Sequence, residues 1–115
     1  MNQLVEKFIE TFAQQAHVLG LIKHADIKVK FSCGLESAII EIKNGKMSLL
    51  NDQDQIWYEI KGDPDAMKQL FEGAERLRVL EQKGRLTVSA PLRAALLLES
   101  VFFLTKAHEN LAKVI

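Results

Sequence analysis

From Ala94 to Leu104 the chain reads AALLLESVFFL, and only Glu99 and Ser100 interrupt its apolar character. A helix over this stretch is greasy on nearly every side, so the fold must cover more than one of its faces. At about 100° per residue, Leu92, Leu96 and Phe103 share one face, Leu97, Val101 and Leu104 a second, and Ala94, Leu98 and Phe102 a third. Glu99, Lys106 and Lys113 form its polar seam. A sheet can cover one face and a neighbouring helix part of another. The third needs the protein's own short helices, a partner chain or an apolar ligand. Leaving about four large side chains uncovered would forgo roughly 1.5–3 kcal/mol each, comparable in sum with the ~5–15 kcal/mol net stability of a domain.

The rest of the chain supplies the cover. Leu4, Phe8, Phe12, Ala16 and Leu19 recur at helical spacing with Val5 and Ile9 beside them, predicting an amphipathic helix over 2–22. The period then changes to two. Ile27, Val29 and Phe31 alternate with Lys28, Lys30 and Ser32, as a strand with one wet face requires. In SAIIEIKNGKMSLL, Asn44-Gly45 suits a two-residue type I′ hairpin. Setting Lys43 opposite Lys46 pairs Ile42 with Met47 and Ile40 with Leu49 on one face, and a slip of one residue would destroy the match. QIWYEIK predicts a fourth strand with Ile56, Tyr58 and Ile60 inward, completing a four-stranded meander.

GDPDAMKQLFEG then carries a helix start: Asp63 as N-cap, Pro64 at the first helical position, and Met67, Leu70 and Phe71 as the buried stripe. Gly73 ends or bends this helix, and Leu77 and Leu80 continue a second helical stretch to about Gln82. After the Lys83-Gly84 turn, Leu86 and Val88 point inward from a fifth strand, and Pro91 opens the final helix. One sheet with an oily side, and helices to cover it, make an α+β two-layer domain. Leu92, Leu96 and Phe103 are expected to anchor the last helix to the sheet, with Leu98 and Phe102 left to line a cavity or its gate.

At 115 residues and 13.0 kDa the chain is expected to form a single domain over 1–115. Fifteen Lys+Arg balance fifteen Asp+Glu, so no net field draws the protein to nucleic acid. The lone Cys33 has no disulfide or CxxC partner, which excludes a cysteine-based zinc site and points to a reducing, cytoplasmic setting. The greasy run of about eleven residues is too short to span a bilayer, and neither an integral membrane segment nor a targeting segment is expected.

Catalysis and metals find little support. His17, His24 and His108 lack ligand spacing, Cys33 has no nearby base in sequence, and Glu41 and Glu59 alternate onto the wet sheet face. No enzyme, metal or cofactor is expected. Met47, Met67 and Phe71 add soft or aromatic lining to the interior, favouring a pocket for a hydrophobic small molecule. A second class of reading starts from Ile39, Leu50 and Trp57 on the nominally polar sheet face, a patch suited to a protein partner or a homodimer with no lipid ligand. A loop folded over that patch is the competing explanation.

The element order, the hairpin IIEIKNGKMSLL, the strand-to-helix step IWYEIKGDPDAMKQLFEG and the later QKGRLTVSAP before an apolar helix resemble the sterol carrier protein type 2 family. The likeness covers nearly the whole chain and is carried more by order than by any single motif. It implies a five-stranded, mostly antiparallel sheet with helices covering one face and enclosing a hydrophobic tunnel. A fatty acid, acyl thioester or sterol-like lipid would be bound or transferred there. By position, the resemblance assigns the lining to Phe8, Phe12, Ile40, Ile42, Met47, Leu49, Met67, Leu70, Phe71, Leu98 and Phe102. AERLRVLEQ lacks the proline and aromatic residues common in the family before the last strand, which would alter the tunnel mouth. The chain ends in LAKVI without a peroxisomal Ser-Lys-Leu, as a stand-alone prokaryotic-type member would.

Overall fold

A computed structural model describes residues 2–15, 20–50 and 56–114, with side chains described as far as Thr105. In order along the chain come α1 (Asn2–Ala13), a 3₁₀ turn (Gly20–Ile22), β1 (Asp26–Cys33), β2 (Glu36–Lys43), β3 (Lys46–Leu50), β4 (Tyr58–Gly62), α2 (Pro64–Phe71), α3 (Leu77–Gln82), β5 (Leu86–Ser89) and α4 (Leu92–Val114). The helix expected over 2–22 is thus α1 followed by the separate 3₁₀ turn. Ala16 and Leu19, which carried the longer reading, lie outside the described residues, as does His17.

The strands form one five-stranded sheet in the order β3-β2-β1-β4-β5. Strand β4 pairs with β1 in parallel, Val29 beside Tyr58 and Phe31 beside Ile60, and the other pairs are antiparallel. This corrects the expected four-stranded meander. Alternation says which side of a strand is oily, but not which neighbour the strand takes, and β1 offered an unpaired edge as apolar as that of β3. Strand β4 also starts later than expected. Ile56 and Trp57 precede it and are 38% and 47% exposed, with only the Trp57 N–H joining the edge, donating to the Lys28 carbonyl at 3.0 Å.

The hairpin has the expected register: Lys43 faces Lys46, Ile42 faces Met47 and Ile40 faces Leu49. Asn44 and Gly45 have φ of 55° and 74°, the left-handed pair that a type I′ turn demands. Helix α2 starts as read, with the Asp63 carboxylate accepting from the Ala66 N–H at 2.7 Å and Pro64 in its first turn. That N–H, and then the Arg85 guanidinium, hold the Asp63 carboxyl below its usual range against an opposing contribution from desolvation. Arg85 lies 2.9 Å from Asp65 and 3.4 Å from Asp63, tying the start of β5 to the start of α2.

Helix α3 has no capping side chain of its own at Arg76. Instead Glu99, from the greasy stretch of α4, accepts the Arg78 N–H at 2.9 Å. The lone charge of that stretch therefore satisfies an orphan donor at the start of α3.

All helices lie on the sheet face carrying Val29, Phe31, Ile40, Ile42 and Ile60, each at most 2% exposed. Helix α1 packs on β2 and β3 and touches α2, while α3 packs on β5 and α4. On the opposite face, Ile39 is 3% exposed and lies outside the main core cluster, with half-buried Leu50 opposite it in β3. The supposed Ile39, Leu50 and Trp57 patch is therefore largely covered at Ile39 and open at Trp57. Among the described residues no helix is long and apolar enough to cross a membrane.

Candidate functional site

The eleven residues assigned to a tunnel lining do come together. Phe8, Phe12, Ile40, Ile42, Met67, Leu70, Phe71, Leu98 and Phe102 are buried in one core cluster, with Met47 and Leu49 packed partly buried against it. At its centre, phenylalanine rings from every layer meet. Phe102 of α4 lies 4.7 Å from Phe8 of α1, 5.1 Å from Phe71 of α2 and 5.8 Å from Phe31 of β1, centroid to centroid. Phe71 stands a further 5.0 Å from Phe31 and 5.6 Å from Phe8. Most of these pairs are edge-on, the arrangement that aromatic quadrupoles favour. The assigned lining is, in this structure, side chain packed against side chain.

The faces of α4 are reversed from the sequence expectation. Leu92 and Leu96, expected as anchors, are 60% and 44% exposed, while Leu98 and Phe102, expected at a cavity, are 2% and 3% exposed. Phe103 is half-buried beneath the Arg76 guanidinium, whose Cζ sits 4.3 Å from the ring centroid. Val101 is fully buried beside Leu98 and Phe102. The helix turns its Ala95, Leu98 and Phe102 side inward because that side meets the gap among α1, α2 and the sheet, where large rings fit.

Open space lies nearer the N-terminal end of α4. A groove of about 520 Å³, within the size range of small-molecule sites, runs between the 3₁₀ turn, the starts of β1 and β4, and the first two turns of α4. Its wall is predominantly apolar: Leu21, Ala25, Ile27, Tyr58, Ala94 and Leu97 supply most of it, with Gly20 and Pro91 at its edges. Ile27 belongs to the core cluster, and Ala25, Tyr58 and Leu97 pack against it, so the floor of the groove is the near wall of the core. His24 and Arg93 add the polar contribution. Both are exposed, and neither has a hydrogen-bond or ion-pair partner among the described residues.

None of the eleven assigned residues lines this groove. Sequence reasoning missed it because its room comes from small residues, Gly20, Ala25 and Ala94, brought together from distant parts of the chain. Small residues leave no periodic signal of their own. Tyr58 inward at the start of β4 and the all-round apolar α4 were the available hints.

Other features carry less chemistry. A second depression, lined by Asn2, Gln3, Glu36 and Ser37, is polar and lies beside the β1–β2 turn. Cys33 is buried at the end of β1, and among the described residues no three His, Cys, Asp or Glu side chains stand together as a metal site.

No protein-family model matches the chain, and no curated protein matches it in sequence. Solved structures share its fold. A UbiJ-SCP2 ubiquinone synthesis protein superposes with a TM-score of 0.70 at 12% identity, over 90% of this chain and 88% of that one. The apo form of sterol carrier protein 2 from Yarrowia lipolytica gives 0.62 at 19% identity, over 90% and 88%. Sterol carrier protein-2 like-3 from Aedes aegypti gives 0.55 at 15% identity, over 95% and 96%. The chain has the sterol carrier protein fold, which the element order had suggested.

Proposed function

We propose that this protein binds, and passes on, a hydrophobic small molecule: a fatty acid, an acyl thioester or a sterol-like lipid. The observation that carries the reading is the apolar groove on the N-terminal half of α4, whose floor is continuous with the core, on a fold shared with sterol carrier proteins. A ligand's apolar part seated against Ala25, Ile27, Tyr58 and Leu97 leaves water, and that transfer drives binding at roughly 25 cal/mol per Å² of apolar surface buried.

The eleven core residues enter the proposal as the inner wall. Leu98 is next to Leu97, and Phe102 lies one turn beyond it, so a long chain reaching past the groove would run along α4 and part these side chains. The phenylalanine cluster would then set how much of a ligand the protein admits. The proposed role is that of a carrier in the cytoplasm, without chemistry on the ligand.

The test is calorimetric titration of protein stripped of copurified lipid with a panel of fatty acids, acyl thioesters and sterols at several temperatures. Saturable binding with a negative heat-capacity change is expected, the mark of apolar burial. No saturable binding to any member of the panel would overturn the reading.

A further inference from the structure

The groove is apolar in its walls but not at its mouth. His24 follows the 3₁₀ turn and Arg93 stands in the first turn of α4; both line the groove and both are exposed, which puts them on its solvent side. Arg93 has no ionic partner among the described residues, and α4 carries no acid in its first turn. A cation there opposes the helix dipole, so helix stability gives no reason for it. Among the described residues five other cations are held in ion pairs: Lys28 with Glu41, Lys61 with Glu59, Arg78 with Glu81, Lys83 with Glu75 and Arg85 with Asp63 and Asp65. Formal net charge is zero, so attraction for an anion must be local, and Asp26 is the acid nearest in sequence to His24.

We infer that the groove selects a single-chain amphiphile with an anionic headgroup, Arg93 pairing with the head at the mouth and His24 donating a hydrogen bond to it, while the tail lies on Ile27, Tyr58 and Leu97. This rests on the proposed lipid-binding reading and narrows it: a fatty carboxylate is preferred to a neutral sterol-like ligand. The guanidinium suits a planar carboxylate because its fork can donate two parallel hydrogen bonds to the two oxygens. Pairing at the mouth keeps both charges partly solvated, avoiding the desolvation cost of a buried pair.

The experiment compares decanoate, decanol, decyltrimethylammonium, decyl phosphate and acetate, below micellar concentrations, on the wild-type protein and on Arg93→Gln and His24→Gln. Equal tails cancel the apolar contribution, so the ratios report the head. Wild type is expected to bind decanoate about tenfold more tightly than decanol, in line with one charge-assisted hydrogen-bonded pair. Decyltrimethylammonium is expected to bind more weakly than decanol. In Arg93→Gln the decanoate-to-decanol ratio falls towards one, and in His24→Gln it falls part of the way. Decyl phosphate preferred to decanoate would overturn the carboxylate assignment, and acetate binding as tightly as decanoate would overturn the role of the tail. Equal binding of decanoate and decanol by wild type overturns this inference while leaving the lipid-binding reading intact, whereas binding of no decyl compound sinks both.

Discussion

Two regions of α4, one turn apart, use apolar residues for opposite ends. Around Leu98, Val101 and Phe102 the helix meets large side chains from α1, α2 and β1, and each of the three residues is at most 3% exposed. Around Ala94 and Leu97 it lines, together with Gly20, Ala25 and Pro91, a groove of about 520 Å³. The hydrophobic effect acts alike on both, being proportional to area and indifferent to direction. Partner size makes the difference: rings fill the interior, whereas small residues leave an unfilled wall. A greasy helix can therefore hold a fold together along one stretch and offer a binding surface along the next.

Cutting into the filled region gives the largest expected effect. Phe102→Ala removes a ring touching three others, and a loss of about 3–5 kcal/mol is expected in chemical denaturation. The corresponding cut on the exposed side, Leu92→Ala, is expected to stay within about 0.5 kcal/mol of wild type. Equal losses from the two would erase the contrast and return α4 to a uniformly buried helix.

Gly45→Val comes next. A β-branched residue at φ 74° is strained in the left-handed region, and roughly 1–3 kcal/mol of destabilisation should appear as a lower melting temperature. This site is remote from both stretches of α4, so the groove's ligand affinity should survive where the fold does.

A smaller loss, about 0.5–2 kcal/mol, is expected for Glu99→Ala, because the Arg78 N–H at the start of α3 loses its acceptor. Glu99→Gln keeps an acceptor oxygen and should recover much of it. Failure of that rescue would show that charge, not capping, is what Glu99 supplies between the two regions.

The smallest effect concerns acid. The folded Asp63 carboxyl is held below its usual range, chiefly by the Ala66 N–H and then by Arg85, so its stabilisation is present above the unfolded value and is lost as pH falls through the folded one. Asp63→Asn retains a capping oxygen but no titrating group, so the acid side of its stability profile should be shallower than that of wild type. An unchanged slope would mean that Asp63 contributes nothing to the acid limb.

How far the sequence reached differs between these parts for physical reasons. The hairpin was legible to the residue because turn chemistry at Asn44-Gly45 and strict alternation on both arms admit one register. The Asp63-Pro64 helix start was legible because capping is local. Strand order was not: Tyr58 and Ile60 look the same whether β4 joins β3 or β1. Nor were the faces of α4, since Phe102 and Phe103 differ by one position and about 100°, and only the placement of Arg76 over one ring and Phe8, Phe31 and Phe71 around the other distinguishes them. The groove was the least legible feature, since it is made by Gly20, Ala25 and Ala94 meeting across some seventy positions of the chain.

The most direct test of the contrast is thermal melting with and without saturating decanoate, for wild type and for Leu97→Trp, whose larger side chain occupies the groove at a half-buried position. A ligand that binds the folded state raises its melting temperature by mass action. The account predicts a clear rise for wild type, none for Leu97→Trp, and ligand-free melting temperatures for the two within a few degrees of each other, about what 0.5 kcal/mol moves a domain of this size. An equal rise in both proteins would place the ligand elsewhere, and no rise in wild type would contradict the claim that the groove is a binding site.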